Sequence, residues 1–443
     1  MVWLKELHGT YVQEGLLAIF FCLLSAGVAV AESPPNVVLI ISDDQAWTDF
    51  GFMGHEHIET PNIDRLANES LTYTRGYVPH GVCRPSLATL ITGLYPHQHE
   101  VVGNDPEKGG DRSYADKRRD LIAKIDPLPK LPDLLKVKDY LSHQSGKWWQ
   151  GNYRRGGFTH GMTEGFRKNH KGGRHGDKGL KIGRKGLDPI YNFIEESRNR
   201  DRPFFLWYAP FMPHTPHNPP KKLLKKYKQR TDSDAIAQYW AMCEWFDQTV
   251  GDLLGYIDRN GMRENTIVLF VADNGWIQKP NNKGQYAPRS KRTAYEGGVR
   301  TPIMVRWPGQ IEPRMDTVTP VSSVDIPPTI LDAAGLNVPE RMPGISLVNR
   351  NRLKERNGTF GATYYHDIRD LNDPVKSLKR RWTIHGRWKL HLPYDENLPD
   401  APVELYDLKN DPHEKNNLAD KHPERVRKLK QRIQNWWNIS DTD

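Results

Sequence analysis

Two apolar runs end in acidic pairs: Asn36-Val37-Val38-Leu39-Ile40-Ile41-Ser42 runs into Asp43-Asp44, and Thr266-Ile267-Val268-Leu269-Phe270-Val271-Ala272 runs into Asp273-Asn274-Gly275. A hard divalent cation takes carboxylate and amide oxygens rather than thiolates or imidazoles. Asp43, Asp44, Asp273 and Asn274 are therefore candidate metal ligands, with calcium fitting best and magnesium next. Taken one pair at a time, Asp-Asp and Asp-Asn-Gly are equally good cap or turn sequences. A second centre is Cys83, in His80-Gly81-Val82-Cys83-Arg84-Pro85-Ser86-Leu87-Ala88-Thr89-Leu90-Ile91-Thr92-Gly93. Pro85 suits a first helical turn, Ser86 can cap it, and Leu87, Leu90 and Ile91 follow at helical spacing. The thiol should then sit near exposed backbone N–H groups, where negative charge is favoured. A cysteine at such a turn can also be no more than a small buried hydrophobe.

The elements that must position these groups read as an α/β fold with a large, mostly parallel sheet flanked by helices, followed by a smaller α+β part with an antiparallel sheet. The two runs above, and Pro203-Phe204-Phe205-Leu206-Trp207-Tyr208-Ala209, are continuously apolar, as strands buried on both faces are. The third run leads into Phe211-Met212-Pro213-His214-Thr215-Pro216-His217. Loops at the carboxyl ends of parallel strands build the site in open α/β sheets, so these distant polar groups can converge. Helical periodicity is read over Asn62–Ser70, Asp188–Arg198, Asp234–Asn260, Asp325–Ala334 and Pro423–Trp437. Beyond a boundary between Gly344 and Gly358, Trp382–Leu392 and Val403–Leu408 read as antiparallel strands. The expected organisation is a signal peptide at 1–31, a catalytic part at 32–350 and a subdomain at 351–443.

The signal peptide rests on an apolar run from Leu16 to Ala31 ending Ala29-Val30-Ala31, a small-residue cleavage pattern. The basic segment before it is weak, so a wrongly assigned start or an uncleaved anchor stays open. Cleavage would leave Cys83 and Cys243 of the 3 cysteines, and a secreted or periplasmic protein without stable membrane insertion. The formal charge of +9 suits an anionic partner. Nucleic acid is not expected, because no recognition helix or interleaved aromatic platform accompanies the charge. Arg167–Gly186 is rich in Lys, Arg, His and Gly and reads as a surface loop, either a solvated insertion or an anion-gathering cover.

The segment around Cys83 resembles the sulfatase signature Cys-x-Pro-Ser-Arg followed by a helix and Thr-Gly, matched at Cys83, Pro85, Ser86, Thr92 and Gly93. The other landmarks resemble the family in order: Asp43-Asp44, Gly146-Lys147-Trp148, Pro213-His214-Thr215-Pro216, Asp273-Asn274, Lys291 before Tyr295-Glu296-Gly297-Gly298, and Glu404-Leu405-Tyr406-Asp407-Leu408. The resemblance implies an alkaline-phosphatase-like fold and a sulfuric ester hydrolase whose cysteine is oxidised to formylglycine by a maturation enzyme. It implies that Asp43, Asp44, residue 83, Asp273 and Asn274 hold the cation. Lys147 and Lys291 would contact the sulfate, and His214 would protonate the leaving oxygen. A sulfate monoester spreads negative charge over three oxygens, which a cation, two lysines and a helix start hold electrostatically.

Two positions depart from the pattern: Leu87 replaces the arginine that steadies formylglycine, and Trp149 replaces the histidine expected after Gly-Lys-Trp. Arg84 or His80 is expected to supply part of what is missing, with His99 and His366 as further substrate contacts. The substrate would be a sulfated small molecule or a sulfated glycan. A phospho- or phosphonate ester hydrolase on the same scaffold and an inactive relative that binds sulfated glycans are the alternatives.

Overall fold

The computed structural model of the chain describes residues 34–165, 175–356 and 358–439. The expected leader at 1–31 and positions 167–174 of the basic stretch lie outside them. Successive residues of the Asn36–Ser42 strand feed two different cores. Val37, Leu39 and Ile41 join Phe205, Trp207, Leu269 and Val271 beneath Leu87, Leu90, Ile326 and Ile330 of two covering helices. Val38 and Ile40 join Leu206, Tyr208, Val268 and Phe270 beneath Ile63, Ile190, Phe246 and Val250 of three others. Burial on both faces explains why these strands read as unbroken apolar runs.

The main sheet has nine strands. From one edge to the other the order is Val321–Ser322, Leu71–Tyr77, Arg300–Arg306, Thr266–Ala272, Asn36–Ser42, Phe204–Ala209, Leu141–Gly146 and His160–Gly161, and Arg314–Asp316 also pairs with Leu71–Tyr77. Asn36–Ser42 is parallel to both neighbours, in register at Ser42 with Ala272 and at Ile40 with Tyr208, while Gly146 aligns with Ala209. Four carboxyl-terminal strand tips therefore stand side by side. Arg300–Arg306 is antiparallel to both of its neighbours. It begins at the edge where the others end, which brings the preceding loop and the segment after Tyr77 to the same place.

The helices form where the periodicity placed them: Pro61–Asn68, Asp188–Asn199, Asp234–Arg259, Ile326–Ala333 and Pro423–Trp436. Two expectations need correction. The helix at Cys83 spans Cys83–Thr92 with Val82 as N-cap, so Ser86 lies inside its first turn and caps nothing. The stretch Trp382–Leu392 is a hairpin, Leu378–His385 and Trp388–Pro393, closed at Gly386-Arg387 with Gly386 at φ 58°. Only glycine adopts that conformation without steric cost, and this local turn signal overrides a continuous strand.

These two strands lie in a four-stranded antiparallel sheet ordered Thr359–Tyr364, Leu378–His385, Trp388–Pro393, Glu404–Asp407. One face packs Leu390 and Leu405 on Leu429 and Ile433 of the Pro423–Trp436 helix. The other contributes Trp382, Ile384 and Tyr406 to the core that holds Tyr77 and Val78. The Ala362 N–H donates to the Pro79 carbonyl at 2.9 Å, tying the small sheet to the segment leading to Cys83.

Candidate active site

The strand tips bring their charged residues together in the interior. Asp43 and Asp44 follow the central strand, and Asp44 takes a positive φ of 65° that turns its carboxylate toward the neighbouring tip. Its backbone N–H donates to Asp273 Oδ1 at 3.1 Å, and Asn274 Nδ2 donates to Asp44 Oδ1 at 2.7 Å. Lys147 leaves the next tip but one at Gly146, whose φ is 94° and where a Cβ would lie 1.9 Å from the Ala209 carbonyl. Only glycine lets the two strand ends close up so far. The Lys147 Nζ donates to Asp43 Oδ1 at 2.5 Å and lies 3.5 Å from Asp273 Oδ2. Lys291 Nζ donates to both Asp44 oxygens at 2.5 and 2.6 Å and to Cys83 Sγ at 3.4 Å. Cys83 Sγ is 3.9 Å from Asp44 Oδ1.

His214 completes the group from the other side, with Nε2 3.4 Å from Asp44 Oδ2 and the side chain 16% exposed, the most open of these groups. Its ring stacks on Phe211 at 4.2 Å, and Nδ1 lies 2.7 Å from the Thr215 carbonyl. A carbonyl only accepts, so Nδ1 carries the hydrogen and Nε2 faces the cluster as the atom where a proton is taken up or returned.

The cluster carries a surplus of negative charge. Three buried carboxylates, Asp43, Asp44 and Asp273, face two ammonium groups, Lys147 and Lys291, which leaves one uncompensated negative charge. Burial, together with Asp273 and Asp44 and against Lys147, pushes the Asp43 carboxyl well above the usual range. Burial alone would also raise Asp44, but Lys291, His214 and Lys147 hold it low. Desolvation drives the Cys83 thiol up to about 12, so the unmodified residue is a poor nucleophile here. Desolvation also keeps His214 well below its usual value, despite Asp44. Asp43 Oδ2 and Asn274 Oδ1 are buried without a hydrogen-bond partner. Asp43, Asp44, Cys83 and His214 can each offer one ligand atom within 4.8 Å of the others. Orphaned oxygens beside surplus negative charge fit a divalent cation.

The other sequence candidates are committed elsewhere. The Arg84 guanidinium is fully buried, donating to Gln150 Oε1 at 3.2 and 2.7 Å and to the Asn104 carbonyl at 3.0 Å. His80 stacks on Tyr364 at 5.4 Å, and burial lowers it to about 3. Both His99 ring nitrogens are engaged, Nδ1 by the Val101 N–H at 3.1 Å and Nε2 with Thr89 Oγ1 at 3.2 Å. His366 is half-buried, with Nδ1 2.6 Å from Asp367 Oδ1. Its carbonyl accepts from the Asn104 N–H, next to the Arg84 turn. Leu87 lies in the apolar core. Two residues escaped sequence reading. Phe211 backs His214, and His175, from the basic stretch, reaches Trp149 and Phe211. The Gly-rich spacing around position 175 was the only available signal.

The family model described as Sulfatase matches residues 35–336. The chain belongs to the sulfatase family. A second family model, N-sulphoglucosamine sulphohydrolase, C-terminal, matches residues 284–438 of this sulfatase. The chain is 31% identical over 350 residues to N-acetylgalactosamine-6-sulfatase of Canis lupus familiaris, covering 71% of this chain and 65% of that protein. It is 28% identical to Arylsulfatase A of Homo sapiens, covering 92% and 88%. The chain thus spans about two thirds of the length of the first of these relatives. Among solved structures, Ps i-CgsB superposes with TM-score 0.70 at 24% identity, covering 91% and 93%. BT4656 in complex with D-glucosamine-2-N,6-O-disulfate gives 0.68 at 20%, covering 91% and 97%. The phosphonate monoester hydrolase of Agrobacterium radiobacter gives 0.65 at 18%, covering 90% and 95%. These likenesses place the sulfatase in the alkaline-phosphatase-like fold. No helix among its described residues is long and apolar enough to cross a membrane.

Proposed function

We propose that this chain hydrolyses sulfate monoesters of carbohydrates, with residue 83 as nucleophile after oxidation of the cysteine to formylglycine by a maturation enzyme. The observation that carries the reading is the meeting of Cys83, Asp44, Lys291 and His214 at the shared edge of the sheet, with Lys291 Nζ 3.4 Å from Cys83 Sγ. Asp43, Asp44, Asp273 and Asn274 would hold one divalent cation, calcium by its oxygen-rich donor set. When bound, the cation supplies charge neutralisation at the sulfate oxygens, and formylglycine supplies an oxygen nucleophile that a thiol of raised pKa does not.

The chain's own groups account for the rest. Lys147 and Lys291, held by buried aspartates, present fixed positive charge to an anionic sulfate without reorganising. The first N–H groups of the Cys83–Thr92 helix add partial positive charge. His214 Nε2, on a ring steadied by Phe211 and the Thr215 carbonyl, takes up a proton from water beside the Asp44 carboxylate and passes it to the leaving ester oxygen. A divalent cation turns the cluster's surplus of one negative charge into one positive, which matches a monoanionic ester.

A carbohydrate substrate is favoured by the named specificities of the relatives and of the glucosamine disulfate complex. Phosphonate hydrolysis is the second reading, raised by the phosphonate monoester hydrolase. The chemistry of two-metal phosphatases needs a second ligand set, and among the described residues the candidate cluster is one group. We further propose export through the 1–31 leader, a catalytic part at 32–350 and an appended subdomain at 351–443. The test is matured protein assayed against sulfated mono- and oligosaccharides, aryl sulfates and aryl phosphates, with mass spectrometry of the peptide spanning residue 83. Sulfate release with an aldehyde at 83 is expected. Faster phosphate release, or turnover with an intact thiol, overturns the proposal.

A further inference from the structure

We infer that His175 supplies an imidazole to the sulfate pocket in place of the one lost where Trp149 follows Gly146-Lys147-Trp148. The inference rests on the sulfate-ester reading above. The His175 ring lies 4.4 Å from Trp149, nearly edge-on at 64°, 5.4 Å from Phe211 and 6.1 Å from His214. Phe211 is itself 4.2 Å from the His214 ring and 5.5 Å from Lys147 Nζ. One aromatic ring therefore has Lys147, His214 and His175 around it, and two of these three belong to the sulfate cluster.

The backbone is built to bring residue 175 this close. The His175 carbonyl accepts from the Trp148 N–H at 2.8 Å, one residue beyond Lys147. A Cβ at Gly176 would lie 2.4 Å from the Gly146 carbonyl, and one at Gly179 would lie 2.5 Å from the same oxygen. Any larger residue at either position would push the segment off the strand tip. The buried Trp149 ring packs against the imidazole on one side and Phe211 lies on it from another, which holds His175 beside the residues that surround Phe211. His175 contacts the bound ester by hydrogen bonding to a sulfate or leaving-group oxygen.

The test uses full-length matured protein, with residue 83 confirmed by mass spectrometry, as His175→Ala, His175→Gln, Trp149→His and the His175→Ala/Trp149→His double variant. Turnover is read with 4-nitrophenyl sulfate and a panel of sulfated monosaccharides, and inorganic sulfate affinity is read by calorimetry. Loss of a hydrogen bond to a charged oxygen should lower kcat/KM and weaken sulfate binding by about 10- to 100-fold in His175→Ala. Thermal unfolding should match wild type, and the double variant should regain most of the loss. Wild-type turnover with a His175→Ala variant within about 3-fold of it overturns this inference alone. So does a loss that follows a lowered unfolding temperature, recurs unchanged in His175→Gln and is not recovered by Trp149→His. A wild type that hydrolyses no sulfate ester overturns the functional reading, and this inference with it.

Discussion

Replacing Asp43 by asparagine separates a cation ligand from an internal counter-ion. Asp43 Oδ1 lies 2.5 Å from Lys147 Nζ, while Oδ2 is buried without a partner. If the carboxylate exists only to neutralise Lys147, Asp43→Asn breaks a buried ion pair and should cost about 3–5 kcal/mol. Two features argue for a much smaller cost in metal-free protein. Lys147 keeps Asp273 Oδ2 at 3.5 Å, and the substitution removes one of three crowded carboxylates, leaving two against two lysines. In chelator, the variant should therefore lie within about 1 kcal/mol of wild type, below the loss from a broken buried pair. Calcium at about 100 times its Kd should stabilise wild type by about 2.7 kcal/mol, and most of that increment should vanish in the variant. Urea unfolding followed by tryptophan emission, with chelator and with calcium, reads both numbers from one protein with 13 Trp. A variant that loses the full ion-pair energy in chelator yet keeps the whole calcium increment would refute the charge argument.

Three further outcomes are expected. Cys83→Ala should abolish sulfate release while leaving inorganic sulfate binding within about 3-fold, because Lys147 and Lys291 remain to hold the anion; equal losses in both, by kinetics and calorimetry, would contradict that separation. Leu87→Arg, which would add the arginine that the family resemblance expects at this position, should not raise turnover. It places a charge in the apolar core and should destabilise the fold by several kcal/mol, on the order of an unpaired buried polar group or more, and a variant as stable as wild type and faster in turnover would show that the helix can rotate this position into the pocket. Asp49 is raised from 3.8 to about 7 by burial, which outweighs its bonds from Tyr239, Ala46 and Thr48. Between those two values the unfolded chain has released a proton that the folded chain keeps, so stability falls as pH rises through the window. Asp49→Asn should flatten that slope and raise stability at pH 8 by up to about 4 kcal/mol, measured by unfolding at pH 5 and pH 8.

The sequence by itself determined three central strands, the helix at Cys83 and the acidic strand tips, because each is encoded within a dozen residues. Val37 to Ile41 must be buried on both faces, and Asp43-Asp44 must end the run, whatever the rest of the chain does. The motif order was likewise enough to indicate the family. Register and crossing order decided everything that depends on contacts far apart in the chain. Lys291 bonds Asp44 across 247 positions and Lys147 bonds Asp43 across 104, and no local pattern says which lysine meets which carboxylate. The same holds for the roles of neighbours in sequence. Arg84 adjoins Cys83 yet its side chain is held by Gln150 and Asn104, and His99 is spent on Thr89 of the Cys83–Thr92 helix and on the Val101 N–H. His175 reaches the pocket because glycines at 176 and 179 let one backbone press against another at Gly146. Periodicity and propensity act along the chain and can be read from it. Close approach between segments is fixed only when the sheet sets their spacing, and that spacing assembled the site.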